Sequence, residues 1–388
     1  MPSDRVPPSA RSTVLERTRA RAAGSTAAPT DGPADGVTAG ELGEGLPRVE
    51  RRGLVRSTPL RALGLLLALL ALAAVTTLSL RYGARAMPLS DVLDALRAYD
   101  PTVQEHLVVR GLRVPRTVVG LLVGVALGLA GAVMQGVARN PLADPGILGV
   151  SAGASLAVVV AIYVFGITSL LGYVWFAFAG AAVAAVVVYG IGTLGREGAT
   201  PVRLALAGAA VGAFLASITS AVLLLDLATF DEYRFWAVGS LAGRDATIAA
   251  QMAPFLLVGT VMALASGRVL NTLALGDDVA RSLGQRVGRA RLLCAVSVVL
   301  LVGAATAAAG PIAFLGLTVP HVARAITGPD YRWVLAYSAV LSPVLLLAAD
   351  VVGRVVARPG EVQVGIVTAV LGAPVFIALV RRRRLAQL

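Results

Sequence analysis

Lysine is absent. All 34 basic residues of the 388-residue chain are arginine. A phosphate-binding loop of the form GxxxxGK[ST] needs its lysine to reach the nucleotide phosphates. The chain lacks that group, so any ATP-driven work must come from another subunit. Cysteine is nearly as scarce: Cys294 stands alone in an apolar run. It cannot form an internal disulfide, and a lone thiol in such a setting serves as a small hydrophobe. His106 and His321 are too few and too scattered for a metal site. Charge of either sign is thin, at 14% of residues. The net charge of +12 is not a nucleic-acid signature, because much of it sits in the N-terminal tail and in Arg381 to Arg384, flanking apolar runs where topology explains it.

What the chain has is long uncharged runs. Apolar types make up 57% of residues, and no Asp, Glu or Arg occurs in 62–80, 117–138, 147–195, 204–225, 247–267, 292–323, 333–349 or 362–380. A helix needs about 20 apolar residues to cross the hydrocarbon core. Most runs hold one crossing, and 147–195 holds two, with a turn near Gly166 to Gly172. Residues 292–323 hold one crossing plus a second, interrupted by Pro311 and Pro320. The expectation is an all-α polytopic membrane protein of about ten transmembrane helices.

Residues 1–58 are rich in Ala, Gly, Pro, Ser and charge without hydrophobic periodicity. They read as a disordered cytoplasmic tail, too long and too polar for a signal peptide. Residues 59–388 form the membrane domain. With an inside N-terminus and ten crossings, the cytoplasmic side collects 24 arginines and the outer side 10, which supports both termini inside a multi-pass protein of the cytoplasmic (inner) membrane. Ten outer arginines still call for a second explanation.

Internal repetition is visible but faint. Gly131-Ala-Val-Met-Gln135 is similar to Gly310-Pro-Ile-Ala-Phe314, and Ala207 to Ala213 is similar to Val367 to Ala373. Odd numbers of helices per half would make such a repeat inverted; chance similarity between Ala/Gly-rich stretches is the alternative.

Three strings carry chemistry. In Arg139-Asn-Pro-Leu-Ala-Asp-Pro-Gly146, Pro141 and Pro145 each remove a backbone donor and disfavour helix at the preceding residue. Asn140 and Asp144 are thereby suited to turns and caps, so a tight, ordered break lies between two membrane helices. Arg113 and Arg116 flank Pro115 at the mouth of the second helix, and Arg354 follows Asp350 at the outer end of the ninth. These are interfacial snorkelling residues or a recognition surface. In Leu275-Gly-Asp-Asp-Val-Ala-Arg-Ser-Leu-Gly284, Asp277 and Asp278 sit where a short helix would begin. Val279 and Leu283 would share one of its faces, while Gly276 and Gly284 bracket it. Two short helices joined by a turn fit this string; an ordinary charged loop is the alternative.

The string from Arg113 through Asn140-Pro-Leu-Ala-Asp-Pro-Gly-Ile-Leu-Gly149 to Ser155 resembles the central signature of the FecCD (BtuC-like) permeases. These are membrane subunits of binding-protein-dependent importers for ferric siderophores, haem and vitamin B12. Trp236 to Leu241, Phe314 to Arg324 and Gly365 to Phe376 extend the resemblance over residues 60–380.

The resemblance implies a BtuC-like fold and a transport subunit rather than an enzyme. It implies a ferric siderophore as cargo, with vitamin B12 or haem as alternatives. Arg113, Arg116 and Arg354 would meet acidic residues of an extracytoplasmic substrate-binding protein. Gly276, Asp277, Asp278, Ala280, Leu283 and Gly284 would form the loop that docks on an ATPase, and Asn140, Pro141, Asp144, Pro145 and Gly146 the signature hinge. Thr200, Pro201 and Val202 would lie near an inner gate, with the fifth and tenth helices along the path. Two ATP-binding subunits would hold the ATP and Mg2+, and a second permease copy or a related sister would complete the pore. No cofactor or metal is expected in this chain, and its surroundings are membrane lipid, not nucleic acid. One departure is Gln363, where the family has proline; it leaves that outer turn less rigid. An ion-coupled transporter would place Asp, Glu or His within the membrane, and the uncharged runs leave only Asp226 and Asp350, both at helix ends.

Overall fold

The computed structural model describes residues 53–55, 57–83, 85–194 and 201–381, all within the unit Arg51–Leu388. The tail expectation, apart from a few residues at its end, and Thr200 lie outside them. Among the described residues the regular structure is helical, apart from one isolated bridge between Tyr82 and Ala86.

Helix α1 (Thr58–Arg81) opens on Ser57, whose Oγ accepts from the Leu60 amide at 3.4 Å. Leu63, Leu66, Leu67 and Leu70 are all exposed along it, as an apolar helix facing lipid requires. Helix α2 (Leu89–Arg97) is short and amphipathic and buries Val92 and Ala95. Helix α3 (Gln104–Val108) runs through one wide turn, Val109–Arg113, into α4 (Val114–Ala138).

Helix α4 is the axis of the molecule. Small residues let its neighbours approach closely, a recurrent device where lipid supplies no hydrophobic drive between helices. A Cβ added at Gly124 would lie 2.5 Å from the Pro343 Cα, and one at Gly131 would strike the Gly316 carbonyl.

The signature hinge follows. Arg139 ends α4 in a left-handed conformation (φ 50°), and the Asn140 amide turns back to the Gln135 carbonyl at 3.2 Å. Asn140 Oδ1 accepts from the Leu142 amide at 2.9 Å, and Asp144 Oδ1 from the Gly146 amide at 2.8 Å. A 3-10 turn, Pro145–Leu148, then leads through Gly149 (φ 68°) into α5 (Val150–Phe165). Both acceptors are thus spent on local turns, as their side-chain chemistry leads one to expect.

Gly166 (φ 64°) breaks the next apolar run, and α6 (Leu170–Thr193) follows. Then come α7 (Pro201–Leu225), α8 (Leu227–Ala237), α9 (Ala246–Ala265), α10 (Gly267–Ala274), α11 (Asp277–Ser282) and α12 (Val287–Ala309). The chain closes with α13 (Leu315–Thr327), α14 (Tyr331–Val356) and α15 (Val364–Arg381). Helices α14, α12, α13 and α9 surround α4; α5 and α6 pair with each other, and α7 lies against both.

Among the described residues seven helices are long and apolar enough to cross a membrane, and Val150–Phe165 and Val364–Ala378 are shorter apolar helices. The interrupted segment expected after residue 310 is α13, which has only 13 residues and starts beside Gly131, partway along α4. Broken backbone at such depth persists only where protein satisfies it. Here the Ser240 amide donates to the Ala309 carbonyl at 2.8 Å, and the Gly365 amide to the Gly239 carbonyl at 3.0 Å. Three chain breaks therefore satisfy one another.

The first repeat pair does not share a conformation. Gly131 to Gln135 is helical within α4, whereas Gly310 to Phe314 is the break before α13, with Gly310 at φ 74° and Phe314 at φ 66°. The second pair lies within helices α7 and α15.

Candidate functional site

The cluster at the end of the bundle that the arginine count assigns to the outside is built on Asp350, 1% exposed near the end of α14. Arg116 Nη2 meets its Oδ1 at 2.7 Å, and Arg354 Nη2 meets its Oδ2 at 2.8 Å. Arg116 also reaches Glu361 Oε2 at 2.8 Å. The side chain of Arg116 is 15% exposed, while Arg113 and Arg354 are buried at 6% and 4%.

The donors of the two buried arginines point inward. Arg354 Nη1 donates to the carbonyls of Ser79 (3.0 Å) and Tyr82 (2.6 Å), and Arg113 Nη1 to those of Leu80 (2.7 Å) and Arg81 (2.6 Å). These carbonyls end α1 and have no partner within the helix, and a cation there also suits the helix dipole. Arg110 does the same for α2, donating to the Ala95 and Leu96 carbonyls at 2.8 Å each. Arg358 donates to the Gly83 carbonyl at 3.2 Å and Arg244 to that of Ser240 at 3.1 Å. Arg81 Nε reaches the Met87 carbonyl at 3.5 Å, so six of the ten outer arginines satisfy backbone carbonyls, which is the second explanation their number called for. Arg113 and Arg354 are consequently not free surface cations. Sequence carries no sign of this role, because carbonyls have no side-chain signature. The structure does bring Arg113, Arg116 and Arg354 to one open cavity of about 410 Å3, with Arg85, Glu105 and Glu361 on its walls.

At the opposite end, α10 and α11 are two short helices joined at Leu275 and Gly276, the arrangement the glycine spacing suggested. Gly276 (φ 104°) and Gly284 (φ 82°) adopt backbone that glycine accommodates without strain. Ala280 is fully buried, while Val279 and Leu283 are 46% and 64% exposed, leaving an apolar edge outward. Asp278 pairs with Arg281 at 2.7 Å and is otherwise open to solvent.

Asp277 is the junction. Its Oδ1 lies 3.1 Å from Arg139 Nη2, at the end of α4, and 2.9 Å from Arg291 Nη2 in α12. One carboxylate therefore joins α11 to the signature hinge and to the next membrane helix. Neither arginine was singled out from the sequence for this pairing; 14 and 138 residues separate them from Asp277, so no helical spacing announces it.

The hinge itself reaches further in. Pro145 Cδ would lie 3.4 Å from a Cβ at Gly316, and the 3-10 turn packs on α7. Burial pushes the Asp144 carboxyl above its ordinary value, and the Gly146 N–H opposes that rise. Below the hinge, Gln135 Nε2 donates to the Leu317 carbonyl at 3.1 Å, and Arg324 Nη2 to the Tyr331 hydroxyl at 3.0 Å. Val202 is 69% exposed at the start of α7. Gln363 uses its carbonyl to accept from the Ile366 amide at 3.0 Å, so it caps the start of α15 without the family's proline.

A bundle of membrane helices, one of its ends tied by arginines and the other carrying a short helix on an ionic pivot, is the permease part of an ABC importer. The chain belongs to the FecCD transport family, whose profile matches residues 69–382. It is 48% identical over 318 residues to the ferric enterobactin transport system permease protein FepD of Escherichia coli (strain K12), covering 81% of this chain and 94% of that one. It is 43% identical over 319 residues to the iron(3+)-hydroxamate import system permease protein FhuB of Bacillus subtilis (strain 168), covering 82% of each. An inward-facing structure of a metal-chelate-type ABC transporter matches with a TM-score of 0.72 and 26% identity, over 84% of this chain and all of that one.

Proposed function

We propose that this permease carries a ferric siderophore into the cytoplasm by alternating access driven by a partner ATPase. The cargo reading rests on the two relatives, one named for ferric enterobactin and the other for iron(3+)-hydroxamate. The Asp277 junction carries the mechanism. Two ATP-binding subunits hold ATP and Mg2+ and receive the exposed Val279 and Leu283 edge of α11. A second permease copy or a sister permease completes the pore. Both termini lie in the cytoplasm, with residues 1–58 as a tail before the membrane domain 59–388.

When the ATPases close, α11 moves with them. Asp277 passes that motion through Arg139 to the hinge Asn140, Pro141, Asp144, Pro145 and Gly146. The hinge ends against α7, where a Cβ at Gly149 would meet Val211. Helix α7, with Pro201 and Val202 at its start, and α15 line the path. On the outer side a binding protein offers acidic side chains to the arginine-lined cavity. Arg116 is its most accessible guanidinium of the three, and an incoming carboxylate exchanges with Glu361 at Nη1 while Nε and Nη2 stay on Asp350. Arg113 and Arg354 hold the floor.

The deciding experiment is uptake of labelled ferric siderophore by iron-starved cells with and without the gene, with labelled cobalamin in parallel. Loss of iron uptake alone is expected. Loss of cobalamin uptake alone would overturn the cargo. Uptake that persists with a hydrolysis-dead ATPase would overturn the ATP-driven mechanism.

A further inference from the structure

Three arginines from three separate elements meet at the end of the bundle that carries α11. Arg61 in the first turn of α1, Arg268 in α10 and Arg332 in the first turn of α14 line one open cavity of about 810 Å3, together with Leu264, Trp333 and Asp330. Gly267 makes the gathering possible: a Cβ there would lie 3.3 Å from both Cα and Cγ of Arg332.

The depth of this cavity follows from its walls. The membrane-spanning helices that contribute begin at Thr58 and Tyr331 and end at Ala265. It therefore lies where hydrocarbon gives way to headgroups. Leu264, on its wall, is 46% exposed. Trp333 is the aromatic type that settles at this boundary.

Its charge is uncompensated. Among the described residues none of the three guanidiniums forms an ion pair; Arg61 Nε donates to the Val55 carbonyl at 3.3 Å. Asp330 is the one acid on the wall. Its Oδ1 accepts from Asn271 Nδ2 at 2.7 Å and from the Arg332 amide at 3.0 Å, as the cap of α14. Three cations facing one committed carboxylate repel one another unless an anion joins them. Guanidinium forks match phosphate oxygens, and basic pockets between membrane helices on the cytoplasmic side take anionic headgroups.

We propose that this cavity binds the phosphate headgroup of an anionic phospholipid, and that the two-phosphate headgroup of a cardiolipin-type lipid suits it best. The lipid then joins α1, α10 and α14 at the base of the bundle, next to α11. The inference is independent of the cargo.

The test uses the full-length permease in nanodiscs of zwitterionic lipid, titrated with cardiolipin, phosphatidylglycerol or phosphatidylcholine and read by native mass spectrometry. The wild type retains one cardiolipin per chain in preference to phosphatidylcholine. R61Q/R268Q/R332Q loses that preference at least tenfold, and R268Q and R332Q singly, at exposed positions that the fold tolerates, about threefold each. R234Q, whose exposed arginine lies at the other end, leaves it unchanged. Equal retention by wild type and the single variants overturns the site. So does phosphatidylcholine binding as well as cardiolipin. Displacement of cardiolipin by millimolar inorganic phosphate would make it a site for a soluble anion and overturn the lipid assignment.

Discussion

Arg139, the left-handed residue that ends α4, lies 3.1 Å from Asp277, the first residue of α11. Both side chains are part-exposed, at 34% and 24%. Such a pair contributes only about 0–1 kcal/mol to stability. Its position between the short helix and the signature hinge therefore matters more than its strength.

Arg139→Asn tests that position. Asparagine tolerates the left-handed conformation but cannot reach Asp277. In the reconstituted complex the variant should assemble with its ATPase and hydrolyse ATP, while transport per ATP falls about tenfold; Arg139→Lys should restore most of it. Normal transport per ATP in Arg139→Asn would remove the relay. A cross-link from Val279→Cys to the ATPase checks separately that α11 is the docking element.

At the other end of the bundle, Arg354→Ala should be severe. It orphans the α1 carbonyls and strips Asp350 of one of its two partners in a buried triad, a loss that costs about 3–5 kcal/mol. Thermal unfolding in detergent reads this directly, and a shift no larger than that of an exposed arginine variant would contradict the capping role. Arg116→Lys is the cleaner docking probe, because it keeps a cation beside buried Asp350 while removing the planar fork that pairs two carboxylate oxygens. It should weaken binding-protein affinity at least tenfold while the permease still inserts.

Asp144 separates turn from charge. Its carboxyl sits above its ordinary value because of burial, so the folded state holds the proton more tightly than the unfolded state. Stability from this residue is then present at low pH and is lost as pH rises through the raised value. Asp144→Asn keeps an acceptor for the Gly146 amide and should flatten that pH dependence without loss at pH 7. Asp144→Ala should cost about 1 kcal/mol through the lost cap. A steeper acid dependence in Asp144→Asn would contradict the burial argument.

Gly131→Ala places a methyl group against the Gly316 carbonyl, a backbone group of a packed helix that cannot swing aside. Overpacking of this kind costs about 1–3 kcal/mol. Melting temperature and expression should both fall, whereas Gly288→Ala, with nothing within 4 Å, should be neutral.

The membrane class, the number of segments and the broken hinge were legible in residue order. Uncharged length is a local property, and so is the refusal of Pro141 and Pro145 to continue a helix. Gly166 marked the turn between α5 and α6 for the same reason, and Gly276 with Gly284 the edges of α11. Absent lysine likewise excluded a P-loop without any coordinates.

Other features depended on which groups meet in space. Pro311 and Pro320 warned of an interrupted segment, but only packing against Gly131 made α13 a half-length helix. The likeness of Gly131 to Gln135 and Gly310 to Phe314 was compositional, and their backbones diverge. The outer arginines look alike in sequence; some cap carbonyls and Arg116 stays partly free, because carbonyl partners leave no trace in side-chain order. Asp277 with Arg139, and Arg61 with Arg268 and Arg332, are brought together from distant positions. Charge pairing acts over a few ångströms of space, and only the tertiary structure decides which residues come that close.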